Sequence, residues 1–153
     1  MYSTRLGHVH LKVRNLKRAI DFYTQVFQLN VIETVADHYA FLSGSHLHHE
    51  IALQRVGPQA PAPPPDGVGL YHVAFEVPDK KHFARAYQQL QQLGIEPYLV
   101  NHFISWAMYF SDPDGNGLEI YVDIRNEPDG RDQWRGYSAP LSAETILAAL
   151  TEA

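Results

Sequence analysis

Alternating apolar and polar positions mark the start of each half of the chain. Leu6-Gly7-His8-Val9-His10-Leu11-Lys12-Val13 returns as Leu70-Tyr71-His72-Val73-Ala74-Phe75-Glu76-Val77. A period of two predicts half-buried strands, one from Arg5 to Val13 and one from Tyr71 to Val77. The period then changes. Leu16, Ala19, Ile20, Tyr23, Val26 and Phe27 share one helical face, so a helix is predicted from Leu16 to about Gln28 with Asn15 as its cap. Asp79 is placed to cap a second helix carrying Phe83, Ala86, Tyr87, Leu90 and Leu93, with Gly94 at its left-handed end.

Short strands follow each helix. In the first half they are expected near 31–35, 39–42 and 48–55, and in the second near 96–99, 106–111 and 117–122. Asp112-Pro113-Asp114-Gly115-Asn116-Gly117 forms a turn between the last two. The halves are related by offset: His8 maps to His72 and Leu29 to Leu93, each 64 positions on, while Phe41 maps to Phe110 and Glu50 to Glu119, each 69 on. Two tandem βαβββ modules account for this pattern. The expected architecture is α+β: a single domain over residues 1–153, with an open eight-stranded cup-like barrel and helices outside. Module one covers 5–56 and module two 68–123. A Pro-rich segment, 57–67, is a stiff linker. The tail, 124–153, has no counterpart in module one; Ser142 can cap a last helix from Ala143 to Leu150.

Composition narrows the function. A formal charge of −5 with scattered Lys and Arg argues against nucleic acid as a partner. No apolar run reaches the roughly 20 residues that a membrane span needs. The amino-terminal residues lack a secretory signal's apolar core, so a cytoplasmic location is expected. With no cysteine, metal ligands are restricted to nitrogen and oxygen, which suits Fe(II), Mn(II), Zn(II) or Ni(II).

Strand parity sorts the side chains. Val9, Leu11 and Val13 take the helix-facing side, leaving His8 and His10 opposite. Val73, Phe75 and Val77 do the same for His72, and Leu118, Ile120 and Val122 for Glu119 and Tyr121. His8, His72 and Glu119 thus form a candidate metal set of two imidazoles and one carboxylate, the facial arrangement of non-heme Fe(II) oxygenases. Most of the nine histidines are expected to be ordinary surface or core groups. His38, His46 and His82 are read as solvated, His10 as a neighbour of the site. Tyr2, Tyr23, Tyr87 and Tyr98 are read as packing residues, while Trp106 and Phe103 either pack or line an aromatic pocket.

The paired modules, the two His-Val strands and Tyr109-Phe110-Ser111-Asp112-Pro113-Asp114-Gly115-Asn116-Gly117-Leu118-Glu119 resemble the vicinal oxygen chelate superfamily over roughly residues 5–123. That superfamily includes glyoxalase I, bleomycin- and fosfomycin-resistance proteins and extradiol dioxygenases. Three features resemble the catechol 2,3-dioxygenase-like extradiol branch. His49, in His48-His49-Glu50-Ile51-Ala52-Leu53, matches that branch's acid–base histidine. His102, in Asn101-His102-Phe103-Ile104-Ser105, matches a histidine near the bound catechol. Tyr109 stands ten residues before the carboxylate, where the branch keeps a tyrosine.

The resemblance implies an Fe(II)-dependent extradiol dioxygenase, with Mn(II) as an alternative metal, acting on a small aromatic diol and O₂. His8, His72 and Glu119 would hold the metal; His49, His102 and Tyr109 would be catalytic. It also implies a homo-oligomer, expected to be a dimer. The sequence departs from the pattern in having one such domain where many of these enzymes have two. Simple parity puts His48, rather than His49, on the Glu50 face. Glu50 also leaves a glyoxalase-like lyase or isomerase open, with Zn(II) or Ni(II) on four ligands. A metal-free, resistance-type binding protein is a third reading.

Overall fold

A computed structural model describes residues 2–151; residue 1 and the last two residues of the 124–153 tail lie outside the described residues. The elements run β1 (Val9–Val13), α1 (Leu16–Phe27), β2 (Asn30–Val35), β3 (Tyr39–Ser43), β4 (Ile51–Arg55), β5 (Val73–Glu76), α2 (Lys80–Gln92), β6 (Tyr98–Asn101), β7 (Ser105–Ser111), β8 (Gly117–Asp123), β9 (Ala139–Pro140) and α3 (Ala143–Ala148). The fold is α+β. Contacts divide it into two compact units. Unit 1 is the chain up to Gly69 with Asp112–Asn116, and unit 2 is Leu70–Ser111 with the chain from Gly117 onward.

Each module builds the same sheet. Unit 1 has the order β1-β4-β3-β2 and unit 2 the order β5-β8-β7-β6, extended by β9. The first strand of each module lies parallel to the last, and the remaining neighbours are antiparallel. This shared order is independent support for the repeat read from the offsets. Strand β9, drawn from the tail, is one more than the eight that alternation predicts. It pairs with β6 through Val100↔Pro140 and Asn101↔Ala139.

The caps form as local sequence dictates. Asn15 accepts from the Arg18 amide at 2.9 Å, Asp79 from the His82 amide at 2.7 Å and Ser142 from the Thr145 amide at 3.1 Å. Gly94 follows α2 with φ +70°, the left-handed conformation that glycine adopts most readily. In unit 1, Leu11, Val13, Leu16, Ala19, Tyr23, Leu42, Ile51 and Leu53 are buried between α1 and the sheet. In unit 2, α3 packs on α2, with Phe83, Leu90, Met108, Leu118, Ile124 and Ile146 buried. No described helix is long and apolar enough to cross a membrane.

Three strand starts beside the candidate histidines differ from the alternation. β1 begins at Val9 rather than Arg5, because its parallel ladder starts with Val9↔Ile51 and no described strand pairs with residues 5–8. β5 begins at Val73 rather than Tyr71. β4 begins at Ile51 rather than His48, since Glu50 turns its side chain back into the preceding loop. There it accepts from the Gly44 amide at 2.8 Å and the Ser43 hydroxyl at 3.3 Å.

Unit 1 also contains a buried polar network. The Tyr23 hydroxyl donates to Asp112 at 3.0 Å, and Asp114 accepts from Arg14 at 3.1 Å and Arg18 at 2.7 Å. Burial and the Asp112 charge push the Tyr23 phenol far up, so it stays protonated and donates. Tyr23 is the packing residue that helical spacing predicts.

Candidate active site

In unit 1 the strand ladder ends just where the candidate residues begin. His8 precedes β1, and His48, His49 and Glu50 precede β4. Strand parity therefore does not govern them. The His49 ring packs 4.4 Å from His8 and 4.9 Å from Phe41, centroid to centroid. His48 instead points Nε2 toward exposed Glu33, at 3.4 Å. His49, rather than the His48 that parity favours, is the neighbour of His8. Desolvation, then the charges of His8, His48 and His10, lower the His49 pKa and favour a neutral imidazole.

The pairing register corrects one equivalence. Offset alone matches Glu50 to Glu119. However, His10 pairs with Ala52 on β4, and Ala74, its counterpart 64 positions on, pairs with Glu119 on β8. The residue equivalent to Glu119 is thus Ala52, two positions beyond Glu50. Ala52 is buried and carries no ligand. Glu50 faces its own loop, and the Gly44 amide bond is the main cause of its lowered pKa.

In unit 2 the candidates form two polar groups that face each other across β7 and β8. His72 Nε2 lies 2.8 Å from Glu119 Oε2. Glu119 is only 8% exposed, a costly position for a carboxylate unless it is paired. Tyr109 stands directly across from it on β7. Burial first, then the Glu119 charge, push the Tyr109 phenol well up, so it remains a donor. The Tyr109 hydroxyl is 2.9 Å from His102 Nε2, and His102 Nδ1 is 2.7 Å from the Ser138 hydroxyl. Burial lowers the His102 pKa, opposed by the Glu119 charge.

Close backbone approach sets the position of His72. A Cβ on Gly117 would lie 2.2 Å from the Tyr71 carbonyl oxygen and 3.3 Å from the His72 Cβ, so glycine lets β8 begin against this segment. Next to His102, Phe103 adopts a left-handed φ of +65°. This conformation is strained for a bulky side chain. The Phe103 amide donates to Asn101 at 2.8 Å, its carbonyl accepts from the Arg131 amide at 2.8 Å, and the Arg131 guanidinium lies 3.9 Å from its ring. Trp106 belongs to the core, against Phe83 and under Lys80.

Among the described residues, no three His, Asp or Glu side chains are close enough to hold an ion as they stand. His8 belongs to unit 1; His72 and Glu119 belong to unit 2. The His72–Glu119 pair itself fits a divalent metal. Ligands bound at about 2.1 Å in adjacent octahedral positions are separated by about 3 Å, close to the distance found here. His72 Nδ1 is buried without a hydrogen-bond partner among the described residues, so the polar contact of this ring runs through Nε2. Sequence reasoning missed Arg131, Trp134 and Ser138, which adjoin the His102 loop. They lie in the tail, which has no module counterpart; its cluster of aromatic and polar residues is the only hint.

The Glyoxalase/Bleomycin resistance protein/Dioxygenase superfamily matches residues 5–120. The chain belongs to this superfamily. Among curated relatives, it is 33% identical over 151 residues to a catechol-2,3-dioxygenase of Bacillus subtilis, covering 99% of this chain and 53% of that protein. It is 36% identical over 126 residues to biphenyl-2,3-diol 1,2-dioxygenase 3 of Rhodococcus globerulus, covering 79% of this chain and 64% of that protein. The superfamily domain thus spans between half and two thirds of these relatives' length. A lactoylglutathione lyase structure from Agrobacterium tumefaciens shares the superfamily fold, with a TM-score of 0.61 at 22% identity over 78% of this chain and 94% of that one. So does the fosfomycin resistance protein FosX of Listeria monocytogenes, with a TM-score of 0.61 at 18% identity over 79% of this chain and 94% of that one.

Proposed function

We propose that this superfamily domain is an Fe(II)-dependent extradiol dioxygenase acting on a catechol-type diol with O₂, with His8, His72 and Glu119 as metal ligands. The observation that carries this reading is the grouping in unit 2. One carboxylate there meets one imidazole Nε2 and a phenol–imidazole pair able to donate protons. Bound Fe(II) would supply a Lewis-acidic centre for the two adjacent diol oxygens and a one-electron path between the ring and O₂.

The remaining work falls to the chain's own groups. With its Nδ1–H directed to His48 Nδ1, 2.9 Å away, a neutral His49 would accept the proton of a diol hydroxyl at Nε2 and return it later. Tyr109, held as a phenol, donates a hydrogen bond to a developing oxygen charge, with His102 behind it. The names of the catechol and biphenyl-diol relatives support the substrate class. Ala52 at the Glu119-equivalent position supports three protein ligands over the four of a glyoxalase-type lyase.

Anaerobic reconstitution with Fe(II), followed by oxygen uptake on monocyclic and bicyclic catechols, tests the proposal. Uptake of one O₂ per diol with a yellow ring-cleavage product is expected. Absence of uptake across the panel would sink it.

A further inference from the structure

The bonds around His102 set its proton positions from the tail inward. Trp134 Nε1, a donor only, lies 3.3 Å from the Ser138 oxygen, which accepts from it. Ser138 keeps one hydroxyl proton to give, and His102 Nδ1 lies 2.7 Å away to take it. Nδ1 therefore carries the lone pair and Nε2 the proton, which goes to the Tyr109 oxygen across 2.9 Å. Protons thus run one way, from Trp134 through Ser138 and His102 to Tyr109, whose own hydroxyl proton is left for the site.

We propose that Ser138 is a positioning residue that locks His102 as its Nε2–H tautomer, so that His102 serves the site as a hydrogen-bond donor rather than as its base. The assignment rests on the dioxygenase reading only for what the donor acts upon; the tautomer itself does not depend on that reading. The fold makes this contact non-accidental. Antiparallel pairing of Asn101 with Ala139 brings the next residue on each strand, His102 and Ser138, opposite one another. The Arg131 amide bond to Phe103 and the stacking of its guanidinium on that ring anchor the tail beside the same loop. Trp134 adds an edge-on ring contact to His102, with centroids 5.7 Å apart.

Such fixing matters because a neutral imidazole free to exchange tautomers would present Nε2 as donor part of the time and acceptor the rest. Locked by Ser138, it presents only a donor to Tyr109 and to the oxygens that Tyr109 serves. Proton removal is left to His49, and the two histidines hold different roles.

The test is long-range ¹H–¹⁵N spectroscopy of histidine-labelled full chain at neutral pH without added metal, with His102 assigned from the His102→Gln variant. Wild type is expected to show widely separated ring-nitrogen shifts with Nε2 as the protonated atom. Ser138→Ala should collapse that separation toward a tautomer average, and Ser138→Thr should retain it. A protonated Nδ1 in wild type, which needs no variant, would overturn the assignment. So would an unchanged His102 spectrum in Ser138→Ala. In the Fe(II)-loaded enzyme, kcat of Ser138→Ala should fall roughly ten- to a hundredfold with KM little changed, and threonine should rescue it. Loss confined to KM would refute the positioning role. Failure of the dioxygenase reading would show as inactivity of wild type and leave the spectra untouched.

Discussion

Replacing Glu50 with Gln distinguishes a carboxylate that holds a loop from one that holds a metal. Glu50 Oε2 accepts from the Gly44 amide at 2.8 Å and from the Ser43 hydroxyl at 3.3 Å. Bonds to a charged acceptor contribute about 1.5–3 kcal/mol each when well buried. Glu50 is part-exposed, so competition from water reduces the pair to about 1 kcal/mol in all. Glutamine keeps an acceptor oxygen and loses only the charge, costing about 0.5 kcal/mol, or about 1–2 °C in Tm for a chain of this size. Alanine loses both bonds and costs about twice that.

The pH dependence follows from the lowered Glu50 pKa, caused first by the Gly44 amide and opposed by burial. A carboxylate depressed on folding stabilises fully above its ordinary value of 4.5, and the contribution disappears as pH falls through the folded value. The Tm gap between wild type and Glu50→Gln should therefore be constant near neutrality and close under acid. Thermal melts from about pH 3 to 7 read this. Anaerobic calorimetric titration with Fe(II) reads metal affinity, which should not change. A tenfold or greater loss of affinity would make Glu50 a ligand and restore the lyase reading. A gap independent of pH would refute the loop role.

His49→Gln should lower kcat by about 10²–10⁴ while metal affinity is retained, measured by oxygen uptake beside titration. Gly117→Ala should cost about 1–3 kcal/mol by urea denaturation, since its Cβ would collide with the Tyr71 carbonyl, and should weaken metal binding by displacing His72. Tyr23→Phe should cost about 1–2 kcal/mol, because buried Asp112 loses a donor yet keeps Asn116 at 2.8 Å, and metal affinity should not move.

Local information accounts for what could be read directly from the residues. Asn15, Asp79 and Ser142 cap their helices because a side-chain oxygen reaches an amide three residues on, a contact that needs nothing from the rest of the molecule. The alternation at Leu11 and Val13 shows which face is buried, since both side chains leave water while His10 and Lys12 stay exposed. The duplicated His-Val strands carry the repeat, and both sheets share its topology.

Tertiary structure decided everything that depends on which remote strands pair and where pairing starts. Counting residues matched Glu50 to Glu119, whereas the ladders substitute Ala52, because a register is set by hydrogen bonds between strands and not by distance along the chain. His49 came to lie against His8 only because β4 starts late, freeing the preceding residues from parity. Ser138 reached His102 through a two-residue strand at the sheet edge, a pairing too short to leave a hydrophobic period. Its information is held in the surface it meets.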